Sequence, residues 1–177
     1  MKSLYALTML LAASSLQAVS FGIVNFTTCV TNSKVGKQEQ AQFESVREQM
    51  EKLIKDVEKQ LTDLANKLND TDYLDSLSPE AEQELKMQFG ALQEEMQRYQ
   101  NQAMQVMNQA NMRLVQSMSD KVALASSKVA TEKKLSFVMN KDALFYYLPE
   151  SDITTDVIKE LDKNFDASTK NDKKDAK

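Results

Sequence analysis

An apolar stripe with helical spacing runs through the middle of the chain and constrains the fold more than any other feature. Its first half places apolar residues three or four positions apart: Phe43, Val46, Met50, Leu53, Val57, Leu61, Leu64 and Leu68. This spacing puts the side chains on one face of an α-helix. A second stripe with the same spacing continues from Ala81 to Val129. The two stripes predict a pair of long helices over residues 37–132.

The polar sequence NDTDYLDSLSP separates the two stripes and predicts the turn of a helical hairpin, with its tip near residues 69–79. Ser78 is a good N-cap, and Pro79 fits the first position of the second helix. At about 1.5 Å per residue the first helix reaches about 50 Å, so we expect the hairpin to project as an arm. The second helix would reach about 80 Å, which predicts an interruption near residues 117–119 or 126–127.

Short segments at both ends of the hairpin predict a small β body. Residues 21–28 form one strand-like run, and residues 135–148 form two more around a polar turn at Asn140. An amphipathic helix follows over residues 152–165, with Asp152 as its N-cap. Its predicted buried face comprises Ile153, Val157, Leu161 and Phe165. The predicted fold class is therefore mainly α with a small β body, which residues 19–36 and 133–165 build.

Such short strands are too few to form a stable sheet within one chain, which favours several copies joined through the β body. The alternative is a single helical bundle that folds back on the strands. The residues expected in this oligomerisation body are Phe21, Ile23, Val24, Phe137 and Phe145.

The two termini of the chain carry different signals. Residues 1–18 have the features of a secretory signal peptide, namely a positive start, a short apolar run and small residues before Ala18. They predict an exported protein. Residues 166–177 are polar and charged, which predicts a disordered tail.

Composition excludes most catalytic chemistry. The chain has no histidine and a single cysteine, which excludes histidine-based triads, histidine-ligated zinc and thiolate clusters. No glycine-rich loop or nucleophile motif is present in the sequence. We therefore expect no enzyme activity, no catalytic residue, no metal and no cofactor. In an oxidising compartment, Cys29 is either a small buried residue or one partner of an intermolecular disulfide.

Two features of the second helix are candidates for function. Gly90 lies inside it and is a hinge candidate, although a tolerated glycine fits equally well. Methionine is flexible and polarizable, and it is frequent on surfaces that accept many apolar partners. Met104, Met107 and Met112 do not all fit one seam, so we predict that some of them line a binding surface.

Negative charge is concentrated at the predicted tip. Residues 63–95 contain nine acidic residues and two lysines, a net charge of −7. An acidic tip disfavours nucleic acid and anionic lipid, which bind basic patches. The spacing of these acids matches no calcium-binding loop.

The order of these segments resembles that of the Skp/OmpH family of exported chaperones. FGIVNF at 21–26 and LSFVMNKDALFYYLPESDITTDVIKELDKNF at 135–165 carry the resemblance, and the hairpin matches it in periodicity. The resemblance implies a periplasmic homotrimer whose three arms enclose a cavity. In that cavity the family holds unfolded outer-membrane proteins without ATP and prevents their aggregation before insertion.

One property of the family does not carry over. The family's arm tips are basic and are linked to lipopolysaccharide or anionic membrane, whereas this tip is acidic. We therefore assign no lipopolysaccharide site. The alternative function is that of an exported coiled-coil spacer of the cell envelope, which would bury its apolar residues in a closed seam.

Overall fold

The computed structural model describes the backbone of residues 19–175 and the side chains of residues 19–170. The predicted signal peptide, residues 1–18, lies outside this range. The elements in chain order are β1 (Phe21–Val24), α1 (Phe26–Asn32), α2 (Lys34–Asn69), α3 (Thr71–Asp75), α4 (Pro79–Lys133), β2 (Phe137–Asn140) and α5 (Thr154–Asp175). Two single-turn 3-10 helices, Lys141–Ala143 and Pro149–Ser151, lie between β2 and α5. The predicted fold class is confirmed.

Helices α2 and α4 pack side by side as a hairpin arm, and the short α3 lies at its tip. The apolar stripes meet along the seam, where Val57 and Ala103 are buried. Side-chain caps start the elements at the tip: Asp70 accepts a hydrogen bond from the Tyr73 amide, and Ser78 from the Ala81 amide. Pro79 opens α4, as the sequence predicts.

The predicted interruption of the second helix is wrong. Helix α4 is continuous over 55 residues, about 80 Å, whereas α2 has 36. The extra length is supported because the last turns of α4 form one wall of the body, where Met118, Val122 and Val129 are buried. Ser126 is also buried there, within the uninterrupted helix.

The body is built around a two-stranded parallel sheet. Strand β1 pairs with β2, with Phe21 opposite Phe137 and Val24 opposite Asn140. The core is formed by one face of this sheet together with α1, α5 and the end of α4. Its buried members are Val24, Cys29, Val30, Val35, Met118, Val122, Ala125, Val129, Ile153, Val157 and Leu161.

Two strand predictions are wrong. Residues 26–28 belong to α1, because Asn25 accepts a hydrogen bond from the Thr28 amide and the helix buries Cys29 and Val30. This burial outweighs the β preference of the surrounding threonines and valine. The second run of residues 135–148 forms no strand. The chain after Ala143 pairs with no strand among the described residues, where the sheet consists of β1 and β2 alone.

Helix α5 differs from its prediction at both ends. Asp152 accepts a hydrogen bond from the Thr154 amide at 2.8 Å. The helix begins at Thr154, one residue later than a helix with Asp152 as its N-cap would begin. Ile153, Val157 and Leu161 are buried together, as predicted. Helix α5 continues past residue 166 to Asp175, into the segment expected to be disordered, and Lys34 forms an ion pair with Asp166 near the start of that segment.

Candidate binding surface of the helical arm

The two helices of the arm differ sharply in charge. Between residues 37 and 67, helix α2 carries seven acidic and six basic residues. Some of them pair on its surface, as Arg47 does with Glu44 and Glu51. Between Arg98 and Asp120, α4 carries one charged residue, Arg113. The arm thus combines one charged helix with one helix that is nearly uncharged over six turns.

An exposed face runs along this part of α4, beside the seam. Met104 and Met112 are 64% and 71% exposed, and Val115 is 45% exposed. At about 100° per residue, these three side chains project within one sector of about 80°. We call this the uncharged arm face; its residues are Asn101, Met104, Asn108, Asn111, Met112, Val115 and Ser119, all exposed.

The chemistry of the uncharged arm face suits an extended polypeptide. Thioether and aliphatic groups bind apolar side chains without demanding a particular shape. The amides of Asn101, Asn108 and Asn111 can donate to and accept from a peptide backbone. Because no charge projects from this face, binding an apolar segment removes no charged group from water.

Met107 differs from its two neighbours. It is half-buried and lies seven residues before the half-buried Leu114, on the side of α4 that meets α2. The structure therefore brings Met104 and Met112 together on the uncharged arm face and places Met107 beside the seam.

Gly90 lies in regular helix, and packing does not require a glycine there. A Cβ atom added at Gly90 meets no atom within 4 Å. No glycine among the described residues has a positive φ. The role of Gly90 as a hinge stays a prediction.

The five predicted residues of the oligomerisation body fall into two groups. Ile23 and Val24 are buried within their own chain. Phe21 and Phe137 stack with ring centroids 5.7 Å apart and remain partly exposed. Phe145 is fully exposed.

The segment that carries Phe145 presents further apolar side chains. Tyr146 and Leu148 are 77% and 48% exposed, although neither is among the residues predicted for the body. Their position in the same strand-like run was the signal that could have identified them. Together, residues 145–148 form an apolar segment that the other described residues leave exposed.

A groove of about 630 Å³ lies between α4 and β2. Small side chains line its α4 wall, including Ser119, Ala123 and Ser127. The hydroxyl of Ser126 is buried in this wall without a hydrogen-bond partner among the described residues. A buried hydroxyl without a partner is costly to the fold.

Ion pairs fasten α5 to α4. Lys128 contacts Glu160 at 2.5 Å, and Lys133 contacts Asp156 at 2.8 Å. The hydrogen bond from Lys128 lowers the pKa of Glu160, and the hydrogen bond from Lys133 lowers the pKa of Asp156. At the root of the arm, Lys121 contacts Glu39 at 2.9 Å and joins α4 to α2.

The single cysteine is a buried member of the core. Cys29 is 0% exposed and free. Burial, with a smaller contribution from the charge of Asp152, raises the pKa of its thiol to about 11. Of the two alternatives that the sequence left open, the structure shows the buried thiol.

The acidic tip and the long helices show neither a metal cluster nor a membrane span. Among the described residues, no three acidic or cysteine side chains are grouped so that they could hold a metal ion. Within residues 19–175, no helix is sufficiently long and apolar to cross a bilayer.

The fold is that of a small body from which one long helical hairpin extends as an arm. Comparison with known proteins gives the family. The profile of the OmpH family, described as outer membrane protein (OmpH-like), matches residues 20–161. The chain belongs to this family, which confirms the resemblance noted from the sequence.

Individual relatives agree with this assignment. A Skp-like protein of Chlamydia pneumoniae is 35% identical over 167 residues, which cover 93% of this chain and 98% of that protein. A Skp-like protein of Chlamydia muridarum is 36% identical over 154 residues, covering 87% and 88% of the two chains. A crystal structure of an OmpH-like protein from Caulobacter crescentus shares the fold. It has a TM-score of 0.65 and 20% identity, and it covers 83% of this chain and 86% of that chain.

Membership of the family supports a chaperone role. The family is non-enzymatic. Membership also implies a periplasmic location.

Proposed function

We propose that the protein is an ATP-independent periplasmic holdase that binds unfolded outer-membrane proteins on the uncharged arm face. The observation that carries the proposal is the exposure of Met104 and Met112 on a stretch of α4 with a single charge. A spacer rod would be expected to cover its free surfaces with charge, as α2 does. Helix α4 instead exposes the thioether groups of Met104 and Met112 to water, on a side of the arm that does not pack against α2.

Such a surface needs no nucleotide. Burial of apolar surface stabilises a complex by about 25 cal/mol per Å², so many weak contacts suffice to hold an unfolded chain. Binding is lost when the client folds or inserts, because the folded client no longer presents the apolar segments that the arm binds.

We further propose that three copies assemble through the body, so that their arms enclose a cavity. The exposed segment 145–148 and the half-exposed ring pair of Phe21 and Phe137 support self-association, because they leave apolar surface uncovered in the single chain. The unpaired edge of β2 supports it too, because a further strand can extend the two-stranded sheet there. Residues 1–18 would direct export and be removed after Ala18.

The holdase proposal is tested by diluting a urea-denatured outer-membrane barrel protein into buffer without ATP and following its aggregation by light scattering. We expect the mature chain to suppress aggregation and added ATP to change nothing. If stoichiometric protein leaves aggregation unchanged, the spacer function is favoured instead.

One double variant and one single control variant locate the client surface. Met104→Asp with Met112→Asp should raise the protein concentration needed for half-suppression about tenfold or more, because full burial of one methionine side chain is worth about 1.5–3 kcal/mol. The matched control is Met87→Asp, an exposed methionine nearer the tip, which should change the half-point little. Equal effects of the two variants would contradict the assignment of the uncharged arm face. Circular dichroism checks that the helices remain intact.

A further inference from the structure

We infer that the uncharged arm face is a site of reversible oxidation, at which Met104 and Met112 are converted to methionine sulfoxide and client affinity falls. The inference rests on the proposed holdase function, since it names a regulation of the same surface. The reactants are the two exposed thioethers and a two-electron oxygen donor of the hypochlorous acid class.

Exposure makes three sulfur atoms accessible, those of Met87, Met104 and Met112, and the last two lie on the uncharged arm face. Met104 and Met112 are 64% and 71% exposed, whereas Met118, in the same helix, is completely buried. Oxidation of a thioether follows its accessibility, because the oxidant must reach the sulfur. Met107 and Met96 are half-buried on the seam side and are less accessible.

The chain offers no more reactive sulfur in competition. Cys29 is the only thiol, and it is completely buried in the core. A buried neutral thiol is a poor nucleophile, and the pKa of about 11 keeps Cys29 neutral. The sequence also contains no histidine and no tryptophan. The exposed methionines are therefore the first sulfur groups that an oxidant meets.

The reaction balances with hypochlorous acid alone. The methionine sulfur donates an electron pair to the oxygen, a sulfur–oxygen bond forms and the oxygen–chlorine bond breaks. Chloride leaves with the bonding electrons, and the proton of the acid passes to water. The thioether loses two electrons and the oxidant gains two. Methionine sulfoxide reductases reverse the step.

The product changes the chemistry of the surface. A sulfoxide is polar and accepts hydrogen bonds, so an apolar client segment placed against it must remove it from water. The neighbours Asn101, Asn108 and Asn111 are already polar. Oxidation at two positions would leave Val115 as the only exposed apolar side chain of the uncharged arm face. The helix itself should persist, because both side chains project into solvent.

The test treats the full mature chain with limiting hypochlorous acid and maps added oxygen atoms by peptide mass spectrometry. We expect Met104, Met112 and the exposed Met87 to be oxidised while Met118 is not. Suppression of client aggregation should then require about five to ten times more protein, since the lost burial of two side chains is worth about 1 kcal/mol or more. Methionine sulfoxide reductases A and B together should restore suppression.

Leucine variants separate the client surface from other damage. Met104→Leu with Met112→Leu keeps apolar volume and helix propensity but has no sulfur at these positions, so it should resist inactivation. The control Met87→Leu should be inactivated like the wild type. The inference is overturned if oxidation of Met104 and Met112 leaves suppression unchanged, or if the double leucine variant is inactivated equally.

The untreated protein tests the holdase proposal by itself, through its suppression of client aggregation. If untreated protein does not suppress aggregation, the proposed function fails. The oxygen map still tests the selective oxidation of the two positions, and Met118 reacting as fast as Met112 would contradict it.

Discussion

Two glycines in helices show how the same residue type serves different purposes at different positions. A Cβ atom added at Gly36, near the start of α2, lies 2.0 Å from the carbonyl oxygen of Val30 and 2.9 Å from Oγ of Ser33. The chain turns sharply between α1 and α2 here, and only a glycine lets the two helices approach so closely. At Gly90 the same added atom meets nothing.

Alanine at these positions should therefore act in opposite directions. Gly36→Ala forces the backbone of the body apart and should cost about 1–3 kcal/mol or more of the free energy of unfolding. Gly90→Ala should add about 0.5–1 kcal/mol, because alanine is the better helix former and meets no obstacle. Urea denaturation followed by circular dichroism measures both.

The same Gly90→Ala variant tests the hinge prediction. If bending at Gly90 is needed to enclose clients, the stabilised variant should suppress aggregation of large clients less well than the wild type. Unchanged suppression would remove the hinge role, and destabilisation by Gly90→Ala would contradict the open surroundings of this residue.

At the level of elements, periodicity predicted the arm well because its contacts are local and repeat along the helix. The seam residues Val57 and Ala103 are buried, as their spacing requires. Ser78 caps α4 and Pro79 occupies its first position, and both effects depend only on neighbouring residues. The start of the second helix could therefore also be predicted from the sequence. The same periodicity predicted that Met104, Met107 and Met112 do not all lie on the seam, and the structure shows Met104 and Met112 as the exposed ones.

The body was predicted less well because its elements depend on distant partners. The α1 sequence FTTCVTN has β preference, yet it is helical because the helix buries Cys29 against α4 and α5. The continuity of α4 depends on the body packing against its last turns. The parallel pairing of β1 with β2, across more than a hundred residues, has no local signal. The exposure of Tyr146 likewise depends on tertiary packing, because no described element covers it.

Helix α5 is held to α4 by carboxylates whose pKa values are lowered in the fold, Asp156 and Glu160. A lowered pKa means that the folded state binds protons less readily than the unfolded chain. The stabilisation is therefore complete above the ordinary values, 3.8 for Asp156 and 4.5 for Glu160, and is lost as the pH falls through the lowered values. The docking of α5 should accordingly weaken in acid.

We expect the melting temperature to fall between about pH 5 and about pH 3, and Glu160→Gln to make this fall shallower. The variant should also melt a few degrees lower than the wild type at neutral pH, because the ammonium of Lys128 loses its carboxylate partner. The matched control is Glu82→Gln, which removes a pair with Lys86 on the exposed surface of the arm. Thermal unfolding across this pH range measures both variants, and an unchanged slope for Glu160→Gln would contradict the role of this pair.

At the scale of the whole molecule, the polar and apolar surfaces are separated along its length. The tip is acidic, α2 carries both signs of charge, and α4 is nearly uncharged between Arg98 and Asp120. Two groups of exposed apolar side chains are relevant to binding, one on the uncharged arm face and one on the segment 145–148 of the body. The first faces solvent along a projecting arm and suits a client, whereas the second lies on the body, a few residues after β2 in sequence, and suits another copy of the chain.

This separation makes self-association testable without disturbing the chain's own core. Phe145 is fully exposed, so Phe145→Glu removes no contact within the chain. In an assembly, a buried aromatic residue at the centre of an interface typically contributes about 2 kcal/mol or more, and a carboxylate in its place adds a desolvation cost at every copy of the interface. Light scattering after size exclusion should therefore show a trimer for the mature wild type and smaller species for the variant at micromolar concentration.

The control Met87→Glu makes a similar exchange of an exposed apolar residue for an acid, but on the arm, and should remain a trimer. A wild type that is monomeric, or a Phe145→Glu variant of unchanged mass, would contradict assembly through this segment. If the variant is smaller yet keeps its helical content, the body joins the copies, and its ability to suppress client aggregation then measures how much of the holdase activity depends on a cavity enclosed by several arms.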